Sequence, residues 1–180
     1  VKTIGLIGGM TPEATVLYYQ GLIRRCRERV HDPDPLRNPV IVVYSLDLAE
    51  IVRLQRAERF EAVAERLAEV CETLRGAGAE VGALTANTPH LYLEGIRART
   101  RLELVSIVEA TCARARELGV RRTLLLGTAA TMESPMYPQC LAAAGIETSV
   151  PGEADRERVS TAIYTELAVG IVRPEIRRYL

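Results

Sequence analysis

Three short segments of the sequence combine glycine, threonine and asparagine at points where an apolar run stops. They are Gly-Gly-Met-Thr at 8–11, Thr-Ala-Asn-Thr at 85–88 and Gly-Thr-Ala-Ala-Thr at 127–131. Hydroxyl and amide side chains donate hydrogen bonds without adding charge, and backbone N–H groups at a helix N-terminus favour an anion. The segments therefore predict a site for a small anion such as a carboxylate. Taken one at a time, the same residues are also ordinary helix caps.

The elements around these segments predict an α/β fold. Strands that alternate with helices favour parallel sheets covered on both faces, and ligands then bind at the carboxyl ends of strands, where the three segments lie. A polar stretch without periodicity at 97–101 predicts a first domain over 1–99 and a second over 100–180. The predicted strands are 1–7, 39–46, 80–84, 103–107, 122–126 and 146–150, and the main predicted helices after the first are 56–76, 108–118 and 156–169.

Composition excludes several functional classes. The chain has 180 residues, 48% of them hydrophobic, which is enough for a substantial core. Lys plus Arg and Asp plus Glu number 23 each, and aromatic residues make up 4%, so we expect neither a nucleic-acid partner nor an anionic membrane surface. No leader-like start and no apolar run of membrane-spanning length is present, which predicts a cytoplasmic protein.

Other candidate reactive groups are few. The four cysteines are widely spaced and form no metal-binding pattern, so we expect no metal and interpret them as free thiols that pack as small apolar residues. His90 is either a general base or a helix-cap partner, and His31 is expected to be solvated. Neither G-x-G-x-x-G nor the P-loop pattern occurs, so no nucleotide cofactor is predicted.

Five ordered segments of the chain resemble the aspartate/glutamate racemase family, in its amino-acid racemase branch. They are KTIGLIGGMTPEATVLYYQ, YSLDLAEIVRLQ, TANTPH, LLLGTAATMESPMY and VPGEADRERVSTAIYTELAVGI. The resemblance implies two pseudo-symmetric parallel-sheet α/β domains with the active site in the cleft between them. It also implies an amino-acid substrate, no cofactor and a homodimer. We expect a C-terminal part of the second domain to be missing.

The resemblance implies a proton-transfer mechanism that uses two cysteines on opposite faces of the substrate. One thiolate removes the α-proton, and the other thiol returns a proton from the far side. The first cysteine is expected directly before Asn87-Thr88, where this chain has Ala86. The second belongs to a Gly-Cys-Thr-Glu motif some way beyond the segment Glu166–Gly170, and we expect it to lie past Leu180. We therefore predict no two-base racemisation by this chain.

By this resemblance, the substrate-binding positions of the chain match the family's motifs better than the catalytic positions do. The Asn-Thr pair and the Thr-x-x-Thr turn are implied to receive the α-carboxylate. Ala168 lies about where some aspartate-specific members have a basic residue, which favours a broader range of acidic or neutral amino acids. The positions carried over by motif are Met10, Thr11, Gln55, Asn87, Thr88, Thr128 and Thr131.

Three functions are compatible with these residues. The first is an amino-acid racemase of which this chain is a mutated or partial version. The second is an inactive homologue that binds an amino acid or a small carboxylate. The third is a maleate isomerase or decarboxylase of the same superfold, but the similarity at GGMT and EADRE favours the racemases.

Overall fold

The computed structural model describes residues 2–29 and 36–179 and has an α/β fold with two parallel sheets. The chain divides into two units. Unit 1 consists of Val1–Ala86 and Tyr92–Val105, and unit 2 of Asn87–Leu91 and Ser106–Leu180. The strand Glu103–Val105 pairs with the sheet of unit 1, so unit 1 extends to Val105, whereas the boundary predicted from the sequence lies at 99/100.

Unit 1 is built on a four-stranded parallel sheet. The strands are β1 Ile4–Gly8, β2 Ile41–Ser45, β3 Val81–Leu84 and β4 Glu103–Val105. Their order in the sheet is β2-β1-β3-β4. Leu6 and Ile7 on the central strand β1 are 0% exposed, as expected for a strand that is covered on both faces. Ile7 is in register with Tyr44 on one side and Leu84 on the other, so three strands end side by side.

Helices cover this sheet, and one of them was not predicted. The predicted helix at 56–76 begins at Phe60, because the chain turns at Glu58, which has φ 54°, and the helix Leu48–Arg56 before that turn was not predicted. The first of the two begins after Asp47, whose carboxylate accepts from the Ala49 N–H at 2.9 Å as an N-cap. The second supplies much of the core, including Val63, Leu67 and Val70 at 0% exposure. The helices of unit 1 are α1 Pro12–Arg29, α2 Leu48–Arg56, α3 Phe60–Gly76 and α4 Leu93–Arg97.

Unit 2 contains a two-stranded parallel sheet and its own core. The core includes Val108, Cys112, Tyr137, Leu141 and Ile146. Its strands are β5 Arg122–Leu124 and β6 Glu147–Ser149, and its helices are α5 Ile107–Glu117, α6 Ala129–Glu133, α7 Met136–Ala143, α8 Glu153–Thr165 and α9 Pro174–Tyr179, with 3-10 turns at Thr88–Tyr92 and Leu167–Val169. All six predicted strands are thus present, each shorter than predicted.

A carboxylate on α3 connects that helix to the segment entering β4. Glu72 accepts hydrogen bonds from the Arg101 backbone N–H at 2.9 Å, from the Thr100 hydroxyl at 2.8 Å and from Arg75 Nε at 2.8 Å. These bonds lower the pKa of Glu72 to about 2, and the bond from the Arg101 N–H has the largest effect. A carboxylate whose pKa is lowered on folding stabilises the fold above its unfolded pKa.

Replacing Glu72 by glutamine is expected to remove part of the acid sensitivity of unit 1. In the unchanged chain this contribution is complete above about pH 4.5 and is lost as the pH falls towards 2, because protonation removes the charge that strengthens the three bonds. Urea denaturation at pH 7 and at pH 3 measures the change in unfolding free energy. Glu69→Gln, on the same helix with a side chain 70% exposed, is the control. Equal pH profiles for the two variants would contradict this role of Glu72.

Candidate functional site

The glycine turn after β1 is packed too tightly for any side chain at Gly9. This residue has φ +84°, and a Cβ built on it would lie 2.2 Å from the Leu46 carbonyl oxygen. The Leu46 N–H donates to the Gly8 carbonyl at 3.0 Å, which holds the turn against the end of β2. The turn therefore places Met10 and Thr11 at the carboxyl edge of the sheet.

A buried pair of hydroxyls connects the first helix to the end of β3. Thr15 Oγ1 lies 2.9 Å from Thr85 Oγ1 and also accepts from the Gly9 N–H at 3.1 Å. Thr85 is 1% exposed, and its backbone N–H donates to the Ile7 carbonyl at 3.0 Å. The residue that precedes Ala86 is thereby held by both the glycine turn and β1. Sequence reasoning missed Thr15, although it stands one helical turn after Thr11.

The predicted positions in unit 1 have different surroundings. Met10 is 4% exposed and belongs to the hydrophobic core of the unit, and the half-buried Ala86 packs against the same core. Thr11 donates its hydroxyl hydrogen to the Met10 carbonyl at 3.0 Å. Gln55 donates from Nε2 to the Tyr92 hydroxyl at 3.3 Å.

The predicted positions in unit 2 lie close together. Thr128 Oγ1 is 3.0 Å from both Thr88 Oγ1 and Thr131 Oγ1, and the last two oxygens are 3.5 Å apart. Asn87 Oδ1 accepts from the Tyr137 hydroxyl at 2.6 Å. We call Thr88, Thr128 and Thr131 the threonine cluster. Uncharged donors at this spacing suit a carboxylate, since each hydroxyl can rotate from its neighbour to a ligand oxygen.

Several backbone donors that the sequence predicted for an anion are already occupied. The Gly9 N–H donates to Thr15, the Ala129 N–H donates to the Ser160 hydroxyl at 3.0 Å, and the Thr131 N–H donates to Thr128 Oγ1 at 3.2 Å. Thr128 is thus the N-cap of α6, as the capping interpretation predicts. Side-chain hydroxyl and amide groups are consequently the better candidates for ligand contact.

His90 is a helix-cap partner in this structure. It is 6% exposed, and its Nε2 accepts from the Ile107 N–H, the first residue of α5, at 3.1 Å. A nitrogen that accepts a backbone hydrogen bond must lose that bond before it can accept a proton from a ligand. The structure therefore favours the cap interpretation, while His31 lies outside the described residues.

The four cysteines lie on helices α1, α3, α5 and α7. Cys71 and Cys112 are buried, and Cys26 and Cys140 are half-buried. Burial, aided by the charge of Glu72, raises the pKa of the Cys71 thiol to about 12. Burial, aided by a hydrogen bond with Cys140, raises the pKa of Cys112 to about 12 as well. Both thiols are therefore protonated near neutral pH.

Alkylation with iodoacetamide at pH 8 is expected to modify the two buried thiols more slowly than an exposed one. Cys71 and Cys112 should react roughly a thousandfold more slowly than an ordinary exposed thiol, because only the thiolate attacks and about one molecule in 10⁴ is ionised. Peptide mapping by mass spectrometry gives the rate at each position, with Cys26 as internal comparison. In urea all four should react alike. Rapid labelling of Cys71 in the folded chain would show that its environment is not the one described.

Within residues 2–29 and 36–179, no group of three or more His, Cys, Asp or Glu side chains is arranged to hold a metal ion. No helix of the described part is both long and apolar enough to cross a membrane.

The chain has a parallel α/β fold with polar turns after its first and third strands, at the edge where open parallel sheets generally bind ligands. The chain belongs to the Asp/Glu/Hydantoin racemase family, whose model matches residues 7–180. The family predicted from the sequence segments is therefore confirmed, as is the α/β class of the fold.

Named relatives agree with this assignment. The broad specificity amino-acid racemase RacX of Bacillus subtilis is 25% identical over 146 residues, and the match covers 80% of this chain but only 62% of RacX. A Yersinia pestis protein assigned as an Asp/Glu racemase has a TM-score of 0.85 at 35% identity, over 99% of this chain and 77% of that one. An aspartate racemase homologue from Pyrococcus horikoshii has a TM-score of 0.79 at 34% identity, over 99% and 76%.

Proposed function

We propose that this chain carries the amino-acid site of a cofactor-independent racemase and that, with alanine at position 86, it binds the amino acid without racemising it. The observation that carries the proposal is the threonine cluster of unit 2, with Asn87 next to Thr88 in the chain. Membership of the racemase family supports an amino acid as the ligand.

Binding of the α-carboxylate is assigned to uncharged donors. The three hydroxyls of the threonine cluster lie 3.0 to 3.5 Å from one another. Thr88 and Thr128 are half-buried and are assigned the ligand contact, whereas Thr131 is 1% exposed and lies within hydrogen-bond distance of both. Hydrogen bonds to a charged acceptor are stronger than those between neutral groups, and this offsets the loss of hydroxyl–hydroxyl bonds.

Racemisation requires one group that removes the α-proton and another that returns a proton. This chain supplies neither kind of group at position 86. Removal of an α-proton needs a positioned base whose pKa is near the working pH, and alanine has no titratable group. Cys71 and Cys112 are not substitutes, because their raised pKa values keep them protonated. The proposed chemistry of the chain is therefore binding alone.

The proposed ligands are acidic and neutral amino acids in general. RacX is named for broad specificity, and Ala168 lies in a 3-10 turn and brings no charge to distinguish acidic side chains. The homodimer and the cytoplasmic location stay predictions from the sequence.

Calorimetric titration with both enantiomers of aspartate, glutamate and alanine tests the binding. Proton NMR in heavy water then follows the α-hydrogen signal of each ligand that binds. The expected result is binding with an undiminished α-hydrogen signal. Loss of that signal in the presence of the unchanged chain would disprove the absence of proton transfer, and failure to bind any of the six compounds would disprove the site.

A further inference from the structure

The side-chain amide of Asn87 has two chemically opposite ends. Its oxygen accepts hydrogen bonds, whereas its nitrogen donates two. Asn87 is exposed, and an exposed amide that is not held can rotate by half a turn and offer either end. The end that meets a ligand decides whether position 87 favours a carboxylate or an ammonium group.

Tyr137 holds one of these two ends. Its hydroxyl donates to Asn87 Oδ1 at 2.6 Å, at the short end of the usual O–H···O range. The tyrosine is 6% exposed, and its ring belongs to the core of unit 2 together with Val108, Leu141 and Ile146. A buried ring leaves the phenol oxygen little freedom to move, so the hydroxyl is a fixed partner for the amide.

We infer that Tyr137 is a positioning residue that makes Asn87 selective for a carboxylate. Because the hydroxyl engages Oδ1, the donor nitrogen Nδ2 is the end that remains to meet a ligand. The inference rests on the proposed function, since the ligand group is the α-carboxylate of an amino acid. Tyr137 acts through Asn87 and need not touch the ligand.

The first test needs no ligand. The mobility of the Asn87 side-chain N–H₂ group is measured by ¹⁵N relaxation in the unchanged chain, in Tyr137→Phe and in Tyr164→Phe. Tyr164 lies on α8 and is 45% exposed, so its replacement is the matched control. The order parameter is expected to fall from about 0.8 to below about 0.6 in Tyr137→Phe alone. Equal mobility in all three proteins would overturn the inference.

The second test is a double-mutant cycle on affinity, with the tightest binder among aspartate, glutamate and alanine as the probe. Tyr137→Phe is expected to raise the dissociation constant about tenfold. In the background of Asn87→Ala the same replacement should have no further effect, because the residue through which it acts is gone. A loss of core packing would instead lower the melting temperature in both backgrounds without this non-additivity.

The outcomes separate the inference from the proposed function. If the unchanged chain binds none of the three probes, the proposed function fails, and amide mobility alone decides whether Tyr137 positions Asn87. If the chain binds a probe but Tyr137→Phe weakens binding equally with and without Asn87, the proposed function stands and the inference is overturned. The primary amide of the same amino acid, alaninamide for alanine, completes the test. Its affinity should change less in Tyr137→Phe than that of the carboxylate.

Discussion

Replacement of Ala86 by cysteine is expected to give the chain a measurable rate of α-proton exchange. A thiol at this position would directly precede Asn87 and Thr88, where the family resemblance implies the first catalytic cysteine. A positioned general base accelerates proton transfer by roughly 10²- to 10⁴-fold, so exchange should exceed that of the unchanged chain by at least about 10²-fold. Loss of the α-hydrogen signal in heavy water measures the rate.

The stereochemistry of the product makes this test sharper. A single thiol removes the proton and returns a deuteron on the same face, so the labelled amino acid should keep its configuration on chiral chromatography. Ala86→Ser is the matched control, since a hydroxyl of similar size is not ionised at neutral pH, and it should give no exchange. A cysteine variant that binds the amino acid and exchanges no faster than the serine variant would show that position 86 is not the proton-transfer position.

The largest effect on stability is expected from Gly9→Ala. The added Cβ would lie 2.2 Å from the Leu46 carbonyl oxygen and 2.3 Å from the Leu46 nitrogen, and both are backbone atoms that cannot move aside cheaply. Residue 9 also has φ +84°, a conformation that costs a non-glycine residue about 1 kcal/mol or more. Together with overpacking we expect a loss of about 3 kcal/mol in the free energy of unfolding, measured in urea.

The variant Gly78→Ala separates the cost of the positive φ from the cost of the steric contact. Gly78 has φ +95°, but no atom lies within 4 Å of the place where its Cβ would be, so only the backbone strain applies. The expected loss is about 1 kcal/mol. Equal losses for the two variants would mean that the contact with Leu46 does not constrain the glycine turn.

Local sequence signals account for most of the secondary structure. The strands were predictable because each is a short apolar run bounded by turn residues, and Gly119, with φ +67°, ends α5 as predicted. Helix α2 was missed because no element was predicted between the strand at 39–46 and the helix at 56–76. Asp47 followed by Glu50 three residues later is a helix-start signal that could have identified it.

The contacts that organise the candidate site were beyond sequence reasoning. Thr15 and Thr85 are separated by 70 residues, and Asn87 and Tyr137 by 50, so no local pattern indicates either pair. Tyr137 stands in a helix where burial of its ring accounts for its presence, and only the fold brings its hydroxyl to Asn87. The extension of unit 1 to Val105 has no local signal for a similar reason, since β4 is three residues long and only its pairing with β3 assigns it to unit 1.

Each unit consists of two separate segments of the chain, and this limits how the protein can be divided into fragments. Residues Asn87–Leu91 belong to unit 2 but lie between two segments of unit 1. A fragment that begins at Ser106 would therefore lack Asn87, Thr88 and His90. It would remove the hydrogen bonds that Tyr137, Thr128 and Ile107 make to those three residues. A truncated chain that keeps the whole threonine cluster must therefore begin at or before Asn87, and one that begins there carries the segment Tyr92–Val105 of unit 1 without its partner strand β3.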